Sequence, residues 1–220
     1  DITEGKFSAK VKSNIAPTPT AVDYYPMTQT SWWSYDASAG GVLIPDTAKL
    51  IVNGTKSINA NLYNRFLLPQ NGLIDADSFF YRKSGNDYNE YCDVSSYSAL
   101  FDFDTQVFGD ILFLKENAAV GTAWQSTEFV GVAGGLSTKL RYNFTIDQVN
   151  TTLTVNGVTY NDVITVKYTV NTNILNTTYN TIENGQLSFA KGIGLIQRKS
   201  SQVVTNADLV GFNIRKYQIN

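Results

Sequence analysis

Carboxylates are the main option for general acid/base catalysis by this chain, because its 220 residues include no histidine. The absence of imidazole excludes Ser-His-Asp and Cys-His catalysis and His-ligated zinc together. Two aspartate pairs, Asp75/Asp77 and Asp102/Asp104, have the i, i+2 spacing that puts both groups on one face of a strand. Glycoside hydrolysis needs two carboxyls about 5 to 9.5 Å apart. Such pairs are also common on solvated strand edges and in loops, which is the interpretation we favour.

Other motifs for metal, phosphate or thiol chemistry are incomplete. The segment after Asp75 lacks the glycine and the closing glutamate of a helix–loop–helix calcium site. Residues 191–194 (KGIG) lack the full glycine spacing and the following helix of a phosphate-binding loop. Cys92, the single cysteine, lies in an alternating run and is interpreted as a small buried hydrophobe. We therefore predict no catalytic residue, no metal and no cofactor.

Aromatic residues are the remaining candidates for a binding surface. Five large rings lie within twelve residues, namely Tyr24, Tyr25, Trp32, Trp33 and Tyr35. Since neighbouring strand residues point to opposite faces, one of the two tryptophans should be buried and the other exposed or covered. An exposed ring could stack on a sugar or line a lipid-sized cavity. The ligand-binding candidates are Tyr24, Trp32, Trp33 and Trp124. The alternative is that Tyr25, Trp32 and Trp124 cap the core.

The elements that must position these side chains are strands. Apolar and polar residues alternate with period 2 over residues 140–147 and 164–170, which is typical of strands with one dry and one wet face. Asn-Gly pairs at 53–54 and 156–157 predict type I′ hairpins. Residues 84–87 (SGND) predict a further turn. Only one weak helix candidate, residues 94–102, interrupts this pattern.

These elements predict a single all-β domain over residues 23–220. We expect one antiparallel meander that forms a strongly curved sheet or barrel, of the half-barrel or lipocalin-like kind. A sandwich of two packed sheets is the alternative.

The first 22 residues are polar and Pro/Thr-rich at their end, and they are predicted to be a flexible tether. The sequence begins at Asp1 without Met, as a mature exported protein or a trimmed chain does. No apolar stretch approaches 18 residues, so no transmembrane helix is predicted. With 17 Lys+Arg against 19 Asp+Glu, the net charge is −2, which argues against nucleic acid as a partner.

Four ordered segments resemble secreted lipoproteins of the Gram-negative envelope whose function is uncharacterised. Their YFPL…W.Y, VGxxW, nVIxV and YAKGIGLIkr motifs resemble, in that order, residues 23–35, 120–124, 161–166 and 189–198. The resemblance implies export, a curved antiparallel sheet and a lipid anchor on a cysteine upstream of Asp1. That anchor would be the only link to a membrane, with the protein in the periplasm or on the outer membrane. The resemblance implies no catalytic residues.

Three functions are consistent with these observations. The first is a non-enzymatic envelope protein that binds a hydrophobic or glycan ligand, or an envelope protein partner, on its curved sheet. The second is a structural or adhesive surface module. The third, least favoured, is a carbohydrate-active enzyme that uses two converging carboxylates, at least one of them with a raised pKa. The oligomeric state is left open.

Overall fold

The computed structural model describes residues 22–68 and 78–220, and this part of the chain contains thirteen β-strands and one 3₁₀ turn at Val94–Tyr97. The strands are β1 (Trp32–Ala39), β2 (Val42–Ile58), β3 (Asn61–Leu67), β4 (Ser78–Ser84), β5 (Asp87–Asp93), β6 (Phe108–Lys115), β7 (Ala123–Gln125), β8 (Phe129–Ala133), β9 (Leu136–Val155), β10 (Val158–Ile174), β11 (Asn180–Ala190), β12 (Gly194–Gln202) and β13 (Asp208–Gln218). No helix in these residues is long and apolar enough to cross a membrane.

Every strand pairing in the described part of the chain is antiparallel and belongs to one continuous sheet. Strands β1 to β6 follow one another in order, and β1 also pairs with β13. From β13 the sheet continues through β12, β11 and β10 to β9, which pairs with both β7 and β8. This arrangement confirms the all-β class and the meander. The sheet is continuous and curved, as predicted, and the sandwich alternative is not what forms.

The two ends of the sheet, β6 and β7/β8, approach each other through side chains. Trp124 on β7 donates from its indole Nε1 to the carbonyl oxygen of Leu112 on β6, at 2.8 Å. The ring of Phe129 on β8 lies directly over Gly109 on β6, where a Cβ atom would be 2.2 Å from the ring. Only glycine allows this approach, and the sheet is thereby nearly closed into a barrel.

The predicted alternation is confirmed in β9, whereas in β10 Thr165, which was expected on the wet face, is buried. On β9, Leu140, Tyr142, Phe144 and Ile146 are fully buried, and the residues between them are partly exposed. The 156–157 pair forms the β9–β10 hairpin with φ of +49° and +75°, as a type I′ turn requires. Of the helix candidate, only the 3₁₀ turn forms.

The hairpin predicted at residues 53–54 is wrong. This pair lies inside β2, where the register against β3 shifts between Val52 and Thr55, and the reversal comes later, at residues 59–60. Gly54 has φ of +83° and donates its amide to Gln29 Oε1 at 2.7 Å. A left-handed glycine serves a bulge as well as a turn, so the dipeptide alone did not distinguish the two.

Two predictions concern residues outside the described ranges. They are the tether over residues 1–22, of which only Val22 is described, and the Asp75/Asp77 pair.

Candidate functional site

Residues 22–27, which we call the N-terminal plug, are bound to one end of the barrel by ionic and polar contacts. The Asp23 carboxylate lies 2.6 Å from Lys83 Nζ, which also contacts Glu116 at 2.9 Å. The Tyr88 hydroxyl donates to Glu116 at 2.6 Å and accepts the Tyr24 amide at 3.2 Å. The plug is therefore held by the end of β4, the start of β5 and the residue that follows β6.

Tyr25 projects from the plug into the barrel. It is 7% exposed and contacts the rings of Trp33, Phe66, Tyr81, Phe113 and Phe189, with centroid distances between 5.0 and 6.5 Å. Burial raises the pKa of the Tyr25 hydroxyl, so this side chain is neutral. The ring is part of the core on one side and the floor of a cavity on the other.

The cavity has a volume of about 310 Å³ and lies between the plug and strands β1, β2, β4, β5, β12 and β13. This is the lower end of the range for small-molecule sites. Its walls are mostly apolar and aromatic: Tyr25, Tyr35, Leu50, Leu68, Phe79, Tyr81, Tyr97, Ala99, Leu195, Val210 and Phe212. Its other lining residues are Ser98, Glu90 and Arg198.

The backbone at residues 97–99 borders the cavity and is held by a buried carboxylate and a partly buried guanidinium. Glu183, which is fully buried, accepts hydrogen bonds from Ser98 Oγ and the Ala99 amide, both at 3.0 Å. Arg198 Nη2 donates to the Tyr97 carbonyl oxygen at 2.8 Å. These contacts tie the short turn after β5 to strands β11 and β12.

Glu90 is the one carboxyl among the described residues that line the cavity. Its Oε1 accepts the Tyr81 hydroxyl at 3.1 Å, and its Oε2 accepts the Tyr97 hydroxyl at 2.7 Å. Burial is the largest influence and raises the pKa of Glu90, while the tyrosine hydrogen bonds and the Arg198 charge act in the opposite direction. The carboxyl is thus hydrogen-bonded at both oxygens by the protein itself.

Arg198 reaches the cavity through an irregularity in β12. The register against β11 pairs Ser188 with Gln197 but Phe189 with Leu195, so Ile196 is an extra residue. Residues three positions apart on a regular strand point to opposite faces, whereas a bulge changes this parity. Leu195 and Arg198 therefore both line the cavity. The guanidinium lies 5.5 Å from the Tyr97 ring centroid.

The four sequence-predicted binding residues occupy other positions. Trp33 is buried and donates to the Ile193 carbonyl oxygen, whereas Trp32 is partly exposed and covered by Lys49 Nζ at 4.5 Å. The expectation that the two tryptophans face opposite sides is confirmed. Tyr24 lies in the plug, and Trp124 lies at the seam between β6 and β7. None of the four lines the cavity, and their role in ligand binding stays a prediction.

Sequence reasoning missed the two charged residues of the cavity. For Glu90 a signal exists, because it shares the inward parity of Tyr88 and Cys92, which are both buried. A carboxyl at a core position of an alternating strand indicates a buried polar site. For Arg198 the parity is broken by the bulge, so the pattern carried no such signal.

In the predicted carboxylate pair Asp102/Asp104, Asp104 has a structural role. The Asp104 carboxylate accepts the amides of Gly134 and Gly135 at 2.8 and 3.0 Å, which supports the β8–β9 turn. Neither aspartate lines the cavity. Within the described ranges, no cluster of three metal-ligating side chains is present.

Comparisons with known proteins report on the fold. Neither a scan against protein-family models nor a search of curated proteins finds a match. Among solved structures, the chain is similar to a "putative lipoprotein" from Parabacteroides distasonis, with a TM-score of 0.55 and 11% identity over 90% of this chain and 99% of that chain. A "putative exported protein with YmcC-like fold" from Bacteroides fragilis aligns with a TM-score of 0.48 and 10% identity over the same shares. The first likeness shows the fold alone.

Proposed function

We propose that this chain is an exported envelope protein that binds a small, mainly hydrophobic ligand inside its barrel, without catalysing a reaction on it. The observation that carries the proposal is the cavity of about 310 Å³ above Tyr25, with its apolar and aromatic walls. Pockets of this kind, with a few convergent polar groups, are the usual form of small-ligand sites.

The lining favours a hydrophobic ligand over a glycan. A glycan site presents many hydrogen-bonding groups, whereas the polar side chains among the described lining residues are four tyrosines, Ser98, Glu90 and Arg198. A two-carboxylate hydrolase would need a second carboxyl that converges with Glu90. The lining provides Glu90 alone within the described part of the chain.

Export is supported by two independent observations. The ordered segments resemble envelope lipoproteins, and the fold is shared with a protein described as a lipoprotein. We infer an anchored or periplasmic location, which fractionation of the host cell tests directly. Recovery of the protein in the cytosolic fraction would contradict it.

Native mass spectrometry on protein purified gently from the envelope fraction tests ligand binding. We expect a reproducible extra mass of lipid or small-molecule size. Val210→Trp places a large ring into the cavity and should remove the extra mass. The matched control Val204→Trp makes the same change at a side chain that is 86% exposed and should retain it. Equal masses for both variants would contradict binding in the cavity.

An adhesive or structural role is the second candidate, and exposed apolar side chains favour it. Val130 and Val132 on β8 are 57% and 44% exposed, and Leu136 and Leu175 nearby are 43% and 58% exposed. The Leu175 amide donates to the Ser137 carbonyl oxygen, which brings the β10–β11 turn beside the β8–β9 turn. A second protein in the native spectrum, instead of a small molecule, would support this role.

A further inference from the structure

The polar end of the cavity contains a cation that the protein satisfies only with neutral oxygens. Within the described residues, Arg198 forms no ion pair with a carboxylate. Its Nη2 donates to the Tyr97 carbonyl oxygen and to the Tyr168 hydroxyl at 2.8 and 3.3 Å, and its Nε is buried without a partner. A partly buried guanidinium in this state gains free energy from an anion.

Glu90 influences Arg198 through its charge, but the two groups form no ion pair within the described residues. Both Glu90 oxygens accept tyrosine hydroxyls. The two charged groups of the lining therefore differ. Each oxygen of the carboxylate has a hydrogen-bond donor, whereas the guanidinium uses only Nη2 for its hydrogen bonds.

The size and the walls of the cavity limit the rest of the ligand. At about 30 Å³ for each water-sized group, 310 Å³ holds about ten non-hydrogen atoms. Because Phe79, Leu195, Val210 and Phe212 line the space, most of those atoms should be apolar. An aliphatic chain of about eight carbons with one carboxylate fits this description.

We propose that the cavity selects a small amphiphilic carboxylate, with its anionic group at Arg198 and its hydrocarbon tail along the apolar wall. This inference rests on the proposed function, because it assigns the chemical class of the ligand to the same cavity. It adds that binding depends on charge as well as on apolar burial.

Calorimetric titration with octanoate and with 1-octanol separates the two contributions, because these probes share a chain length and differ in head group. The wild type should bind octanoate about 10- to 100-fold more tightly, which corresponds to about 1.4 to 2.8 kcal/mol. Arg198→Gln should bind both probes equally. Lys199→Gln removes the same charge from the next, exposed residue of β12 and should keep the preference.

Thermal melting shows whether Arg198→Gln folds. If it does not, a second variant tests the proposal. Glu90→Gln removes a negative charge from the same lining, so the ratio of octanoate affinity to 1-octanol affinity should rise. An unchanged or smaller ratio for this variant would overturn the proposal.

The remaining outcomes distinguish this inference from the proposed function. Equal affinity of the wild type for octanoate and 1-octanol overturns the inference and leaves a hydrophobic binding site. Tighter binding of octylammonium than of octanoate assigns the site to cations and also overturns it. If neither octanoate nor 1-octanol binds, the proposed function fails with the inference.

Discussion

Replacement of Tyr25 by alanine tests whether the N-terminal plug is a structural part of the barrel. Tyr25 is the plug side chain that contacts five aromatic rings of the core. The substitution removes the floor of the cavity and leaves the rest of the plug bound by its polar contacts and by the packing of Tyr24 and Met27 against the core. We therefore expect loss of stability and of the defined binding volume together.

The magnitude follows from the burial of the ring. Truncation of a buried Phe or Trp to alanine costs about 3 to 5 kcal/mol. Tyr25 is 7% exposed and is surrounded by aromatic rings, so we expect Tyr25→Ala to lower the free energy of unfolding by about 4 kcal/mol. With a urea dependence of about 2.5 kcal/mol per molar, the midpoint should fall by about 1.5 M.

Urea denaturation followed by tryptophan fluorescence measures this shift. Tyr25→Phe keeps the ring and should change the free energy by less than about 1 kcal/mol. Tyr91→Ala removes a partly exposed tyrosine that contacts two rings, those of Tyr63 and Phe108, and should cost about 1 kcal/mol. If Tyr25→Ala lies within about 1 kcal/mol of the wild type, the plug is not docked inside the barrel in solution.

Two further predictions concern carboxylates. Because burial raises the pKa of Glu90 above its ordinary value of 4.5, the native state loses stability as pH rises from that value through the raised pKa. Glu90→Gln should thus gain in urea midpoint relative to the wild type over this interval, and a pH-independent difference would contradict the assignment. Asp104→Ala leaves the Gly134 and Gly135 amides without their acceptor and should cost about 1 kcal/mol, against less than about 0.5 kcal/mol for the exposed Asp102→Ala. Equal midpoints for these two variants would show that the turn does not depend on the carboxylate.

Local signals predicted most of the sheet correctly. The alternation in β9 depends on neighbouring residues only, because side chains of a strand point to opposite faces by geometry. The same holds for the 156–157 hairpin, where both residues adopt positive φ. The pair at 53–54 failed because its role depends on which residues of β3 lie opposite, and the dipeptide does not encode that register.

The candidate site was predictable only in part. The tryptophan pair was correctly expected to divide between a buried and an outer face, but neither ring lines the cavity. The alternation in β5 indicates from the sequence that the Glu90 side chain faces inward. The sequence of β12 does not indicate this for Arg198, because the bulge at Ile196 reverses which residues face inward.

The sequence by itself determined the class of this protein: an antiparallel β domain whose composition excludes histidine chemistry. Only the tertiary structure decided that β13 pairs with β1, that the sheet ends meet at Trp124 and Gly109, and that Tyr25 closes one end. The physical reason is the distance along the chain over which each interaction acts. Alternation and turn chemistry act over a few residues, whereas the cavity is formed by side chains as far apart in the chain as Tyr25 and Phe212, which meet only when the sheet curves.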